Sequence, residues 1–184
     1  ASYQSAFQNL ELFLEKRNQS TVKLSKELFW DMYRAARGSS QNAKGADYFD
    51  NLSVELEDDL SQSALEYAAR LYYHAADYRK AIRITESLVI QYGPGEKRDR
   101  MIWYNLQSLL RYRPDLMFSK ISRYYPSMSD LSYFNDVLED FIARLLQKKD
   151  WAGLRKAYVE FAGKTGALIR SHLALLNALS VHYG

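Results

Sequence analysis

The stretch Ser63 to Tyr92, SALEYAARLYYHAADYRKAIRITESLVIQY, leaves this chain few folds to choose from. Leu65, Ala68, Ala69, Tyr72 and Ala76 recur at three- and four-residue steps, the apolar stripe of a helix. Tyr78, Ala81, Ile82, Leu88 and Val89 carry the apolar content onward. Between the two runs, His74-Ala75-Ala76-Asp77 reads as a turn whose aspartate can cap a second helix. Ser63 followed by Glu66 fits a capping box at the start, and His74 sits where a cation would complement a helix C-terminus. Gly93-Pro94-Gly95 forbids continuation. Ala68, Ala69 and Ala81 add no bulk, so two backbones can approach closely. The expected object is an antiparallel helix hairpin.

That outline recurs. Asp77, Asp115 and Asp150 lie 38 and 35 residues apart, each followed by Tyr78, Leu116 or Trp151. On that register Tyr72, Leu110 and Leu145 coincide, as do Leu65, Trp103 and Leu138. Periods in the mid-thirties belong to helix pairs that bury their faces by stacking on their neighbours. The expected fold is all-α, with about nine or ten helices, antiparallel hairpins stacked as an α-solenoid and no sheet. An N-terminal helix pair is expected over 1–37. Its first stripe holds Phe7, Leu10, Phe13 and Leu14; its second holds Leu24, Leu28, Met32 and Ala35 or Ala36, capped at Ser20 or Thr21. A loop or linker over 38–47 and a helix from Asp47 to Leu60 with an acidic outer face come next. One continuous array over 48–184 then carries hairpins near 63–92, 97–125 and 130–163 and an unpaired last helix over 165–182, capped by Thr165. Leu168, Ile169, Leu173, Leu175, Leu176, Leu179 and Val181 make that helix apolar on more than one side. The segment 167–181 is therefore expected to dock on another helix or a partner, and the chain to belong to a longer protein.

Composition narrows the functional classes. Apolar residues make up 47 % of the 184 and charged residues 26 %, ordinary values for a globular chain. Fifteen Tyr against three Pro and eight Gly favour long helices packed through bulky amphipathic side chains. The chain has no cysteine, which removes disulfides and thiolate metal sites and leaves the compartment open between periplasm and cytoplasm. A net charge of +3 does not by itself call for nucleic acid. The apolar 167–181 segment is shorter than the roughly 20 residues that span a bilayer. No catalytic, metal or cofactor residue is assigned. Ser20-Thr21-Val22-Lys23, Ser40-Gln41-Asn42 and Lys164-Thr165-Gly166 spell the short motifs of penicillin-binding enzymes, but those need a strand at the last element, and here it sits between helices. His74, His172 and His182 lack metal-ligand spacing, and Glu55, Glu57, Asp58 and Asp59 read as a solvated helix face. Asn18-Gln19-Ser20 and Asn51-Leu52-Ser53 match the glycosylation acceptor only as short motifs do by chance.

Ala69, Tyr72, Asp77-Tyr78 and Ala81 together resemble a tetratricopeptide (TPR) repeat in its small–Tyr–turn–Ala order, with departures at Thr85 and Leu88. The resemblance implies a non-catalytic scaffold that binds a protein or peptide in a groove lined by first-helix residues. Those residues would be Glu66, Arg70, Tyr73 and His74 in one repeat and Tyr104, Ser108, Arg111 and Tyr112 in the next. Tyr and Arg are favoured at interface hot spots. The short helices, the Tyr125-Pro126 terminator and the turn at Asp77 are also similar to the superhelical region of bacterial soluble lytic transglycosylases, over roughly 63–163. Under that resemblance the partner is the remainder of the same polypeptide in the periplasm, and the catalytic Glu-Ser motif of that family is absent here. A third reading is an RNA-binding array: Lys97 to Arg123 holds seven Lys and Arg, with Trp103, Tyr104 and Tyr112 interleaved.

Overall fold

The structure, a computed structural model, describes residues 2–16 and 24–183. Among them lie ten α-helices and no strand: α1 (Tyr3–Lys16), α2 (Lys26–Gly38), α3 (Asn42–Glu55), α4 (Asp58–His74), α5 (Tyr78–Gln91), α6 (Glu96–Tyr112), α7 (Met117–Tyr124), α8 (Leu131–Gln147), α9 (Trp151–Phe161) and α10 (Ala167–Tyr183). The chain divides into two compact units, 1–91 and 92–184. The boundary expected near 38–47 therefore falls inside the first unit.

Three turns share one geometry. Ser40, Ala76 and Lys149 each adopt a left-handed conformation, at φ 60°, 61° and 55°. At each, the amide of the next residue reaches back over the helix end: Gln41 N–H donates to Ala36 O, Asp77 N–H to Tyr72 O and Asp150 N–H to Leu145 O, all at 2.9 Å. These bonds satisfy carbonyls that a helix C-terminus otherwise leaves open. Ser40 and Ala76 are 36 residues apart, Ala76 and Lys149 73, and the middle of the longer interval falls at the α6–α7 turn. There Pro114 imposes a 3-10 turn instead.

The expected helix starts fare unevenly. Asp77 accepts from Lys80 N–H at 3.2 Å and so caps α5 as predicted, and Asp150 caps α9 in the same way, accepting from Gly153 N–H at 2.8 Å. Asp115 does not; it is held by Arg113 in a two-pronged ion pair at 2.8 and 3.0 Å. The capping box at Ser63 is also overturned. Ser63 lies inside α4 and its hydroxyl donates to Asp59 O at 2.7 Å, while the helix begins five residues earlier. The predicted caps Ser20 and Thr21 lie outside the described residues; the α2 cap is Ser25, accepting from Leu28 N–H at 3.3 Å. Thr165 caps nothing and donates to Ala162 O at 3.3 Å.

The linker expected over 38–47 is a three-residue turn, with α3 under way at Asn42. Polar letters misled here because they face outward on a helix whose inner face is small. Gly45 and Ala46 are buried, and a Cβ on Gly45 would stand 2.6 Å from the Ala36 Cβ and 3.3 Å from Leu71 Cδ1. The expected Asp47–Leu60 helix is likewise broken at Leu56-Glu57, so Glu55 and Asp59 sit on different helices rather than one acidic face.

In the first unit α3 and α4 run antiparallel, since Ser61 Oγ donates to Ser53 O at 2.8 Å near one end and Tyr72 Oη donates to Asp47 at 2.6 Å near the other. Phe7, Phe29, Met32, Phe49, Leu71, Tyr72, Ile84 and Leu88 fill the interior. Each large apolar side chain there contributes about 1.5–3 kcal/mol of burial. A polar bolt crosses three helices: Tyr72 meets Asp47 of α3, Lys80 of α5 donates to Asp47 at 2.9 Å, and Arg83 donates to Asp50 at 2.8 Å.

In the second unit, Phe118 of α7 lies edge-on to Phe141 of α8 at 4.9 Å and stacked on Phe161 of α9 at 6.0 Å. Gln107 of α6 donates to Asp140 of α8 at 2.7 Å. The last helix is not unpaired. It packs along α9, with Ile169, Leu173 and Ser180 buried, and Arg155 of α9 donates to Ser180 O at 2.8 Å near its end. Leu175 and Val181 stay exposed at 60 % and 72 %.

Candidate functional site

The predicted groove residues separate by burial. Glu66 and Tyr104 are only 8 % exposed and Ser108 is fully buried, its hydroxyl donating to Tyr104 O at 2.7 Å. These three do not line an open groove, a correction with a simple cause: first-helix residues at those positions turn inward toward neighbouring helices. Arg111 and Tyr112 of α6 are exposed, with Arg111 Nη1 donating to Gln107 Oε1 at 2.6 Å. Arg70, Tyr73 and His74 of α4 are half-buried, and Tyr73 lies edge-on to His74 at 5.2 Å.

What surrounds Arg70 is the better-built surface. Its guanidinium lies 4.3 Å from the ring centre of Tyr33 on α2 and 5.4 Å from that of Tyr67 on its own helix. Trp30 stacks on Tyr33 at 5.6 Å and leaves 45 % of itself in solvent. Cation–π contacts of this kind hold a guanidinium flat and in place. Beside it, Tyr3, Tyr33, Arg34, Arg37 and Gly38 line a cleft of about 310 Å³. Its floor depends on Gly38. The Tyr3 ring occupies the space that a Cβ at Gly38 would need, so α1 can lay its aromatic side chain directly on the α2 backbone. Trp30, Tyr33, Arg34 and Arg37 were open to detection in the sequence. Their steps of three, one and three place them on one helix face.

Electrostatics agree with this geometry. Burial, then the guanidinium groups of Arg37 and Arg70, hold His74 down to about 4. A neutral imidazole makes no dipole-complementing cation, which overturns that expectation. The positive charge of this face is carried by arginine. The first unit as a whole has eleven Lys and Arg against thirteen Asp and Glu, so the cluster is a local feature of an acidic unit.

The second unit offers an apolar cleft of about 460 Å³ between α8 and α10, lined chiefly by Ile142, Leu146, Ile169, Leu175 and Leu176. Among the described residues no group of three His, Cys, Asp or Glu could hold a metal ion, and no helix is long and apolar enough to cross a membrane. The Ser20–Lys23 motif and Asn18-Gln19-Ser20 lie outside the described residues, and Ser40-Gln41-Asn42 runs from the α2–α3 turn into the first residue of α3. No family model, curated protein or solved structure matches the chain.

Proposed function

We propose that this protein is a TPR-like helical-repeat scaffold that binds a protein or peptide through the α2–α4 face of its first unit. One observation carries the reading: Arg70 clamped on Tyr33 and Tyr67 beside the half-exposed Trp30. A large aromatic left at a surface, next to a guanidinium whose rotamers are already restricted, has the make-up of an interface hot spot. Little conformational entropy remains to be lost there on binding. The repeated left-handed turns at Ser40, Ala76 and Lys149 support the repeat half of the proposal.

Selection of binders from a displayed peptide library on the immobilised chain tests it. Selected peptides are expected to lose at least tenfold in affinity on Trp30→Ala, which removes an exposed ring and leaves the core intact, and to keep affinity on Val159→Ala, at an 81 % exposed position of α9. A library that yields no binder, or binders indifferent to Trp30, refutes the assignment.

A further inference from the structure

We infer that the segment recognised at this face is acidic, its carboxylates met by Arg34 and Arg37 in the cleft beside Tyr3 and Tyr33. The inference rests on the peptide-binding reading above and names the ligand's chemistry. Arg34 and Arg37 are both exposed, stand one helical turn apart on α2 and line the same cleft. Arg37 donates to the neutral Asn42 side chain at 3.4 Å, and no carboxylate among the described residues lines the cleft. Four basic side chains elsewhere in the same unit have acidic partners: Lys26 with Asp59, Lys44 with Glu11, Lys80 with Asp47 and Arg83 with Asp50. The unit thus neutralises these cations and leaves a pair of guanidinium groups facing an open, aromatic-walled cleft of about 310 Å³. A planar guanidinium fits a carboxylate two-pronged, and Tyr3 and Tyr33 give an apolar wall to the residues between the acids. Arg70, fixed on Tyr33, adds a third charge to the field. Exposed arginines set the rate and salt sensitivity of such an encounter as well as its specificity.

The test uses the full chain and two fluorescein-labelled peptides, one alternating Glu with Tyr and the other with Gln in place of each Glu, read by polarisation at low and high salt. The acidic peptide is expected to bind and the Gln peptide to bind at least tenfold more weakly. The double variant Arg34→Glu/Arg37→Glu is expected to lose the acidic peptide by a similar factor and to bind a Lys–Tyr peptide in its place. Both sites are solvent-exposed, so unchanged circular dichroism and melting will certify the fold. Failure of the acidic peptide to bind, equal binding of both peptides, or indifference to the double variant overturns the inference. If library binders still depend on Trp30 while none is sensitive to Arg34 and Arg37, the peptide-binding reading stands and only the acidic class falls.

Discussion

Asp99→Ala should unfold the second unit before anything else in the chain. Asp99 stands in the first turn of α6, fully buried. Its Oδ2 accepts three hydrogen bonds from the loop that leads into α8: Ser129 N–H at 2.9 Å, Ser129 Oγ at 2.5 Å and Asp130 N–H at 2.8 Å. Asp130 in turn caps α8, accepting from Ser132 N–H at 2.8 Å. One carboxylate therefore joins the starts of two helices 30 residues apart in sequence. Truncation removes the charged acceptor of two backbone amides and a hydroxyl in part-buried hydrogen bonds, and a bond to a charged group is worth about 1.5–3 kcal/mol before water replaces part of it. Relief of the buried charge, whose Oδ1 has no hydrogen-bond partner, offsets part of that. The net loss should be about 3–4 kcal/mol, a large share of the ~5–15 kcal/mol that stabilises a typical domain. Asp99→Asn keeps an acceptor for the three donors but turns its amide toward the Oδ1 position, where nothing accepts. It should lose about 1–2 kcal/mol, on the scale of a weakened hydrogen-bond set. Hydrogen exchange read peptide by peptide separates the units: protection should collapse across 96–112 and 128–147 and persist across 42–91. A loss below about 1 kcal/mol for the alanine variant, the scale of an ordinary surface substitution, would show that the carboxylate is not what joins the two helices.

His74 should titrate with a midpoint near 4 in its ring-proton shifts. Because its folded value lies below the ordinary histidine value of 6.5, the first unit keeps that contribution above about pH 6.5 and loses it as pH falls toward 4. A midpoint between 6 and 7 would contradict the burial and the two arginines invoked here. Gly45→Ala should destabilise the first unit by about 1–3 kcal/mol in urea melts, because a Cβ facing Ala36 at 2.6 Å forces α2 and α3 apart; the helix-propensity gain of about 1 kcal/mol does not cover it. A variant as stable as the parent would deny the tight crossing. Ala76→Gly should leave stability unchanged or raise it by up to about 1 kcal/mol, since φ 61° penalises a Cβ. A clear loss would mean that the turn is not left-handed in solution.

Much of the hairpin logic was readable from letters. The caps at Asp77 and Asp150, the terminators at Gly93-Pro94-Gly95 and Pro126, and the alternation of apolar stripes are local effects, decided by residues a turn or two apart. The candidate site was half readable. Arg70 was singled out from its helix face, but its clamp needs Tyr33, 37 residues earlier in the chain. The errors share a cause. Glu66, Tyr104 and Ser108 look like polar-face residues until neighbouring helices cover them, and Ser63 looks like a cap until the chain upstream continues its helix.

By itself the sequence determined an all-helical chain and its turns near 77, 114 and 150, because helix periodicity, capping and proline stops act within one or two turns. Only the tertiary structure decided that 38–47 belongs to a packed helix, that α10 has a partner in α9, and which arginines stand on aromatic rings in an open cleft. Those outcomes depend on which helix covers which face. Close approach across Gly45 and the Gly38–Tyr3 contact settle that between residues far apart in the chain, where no local pattern reaches.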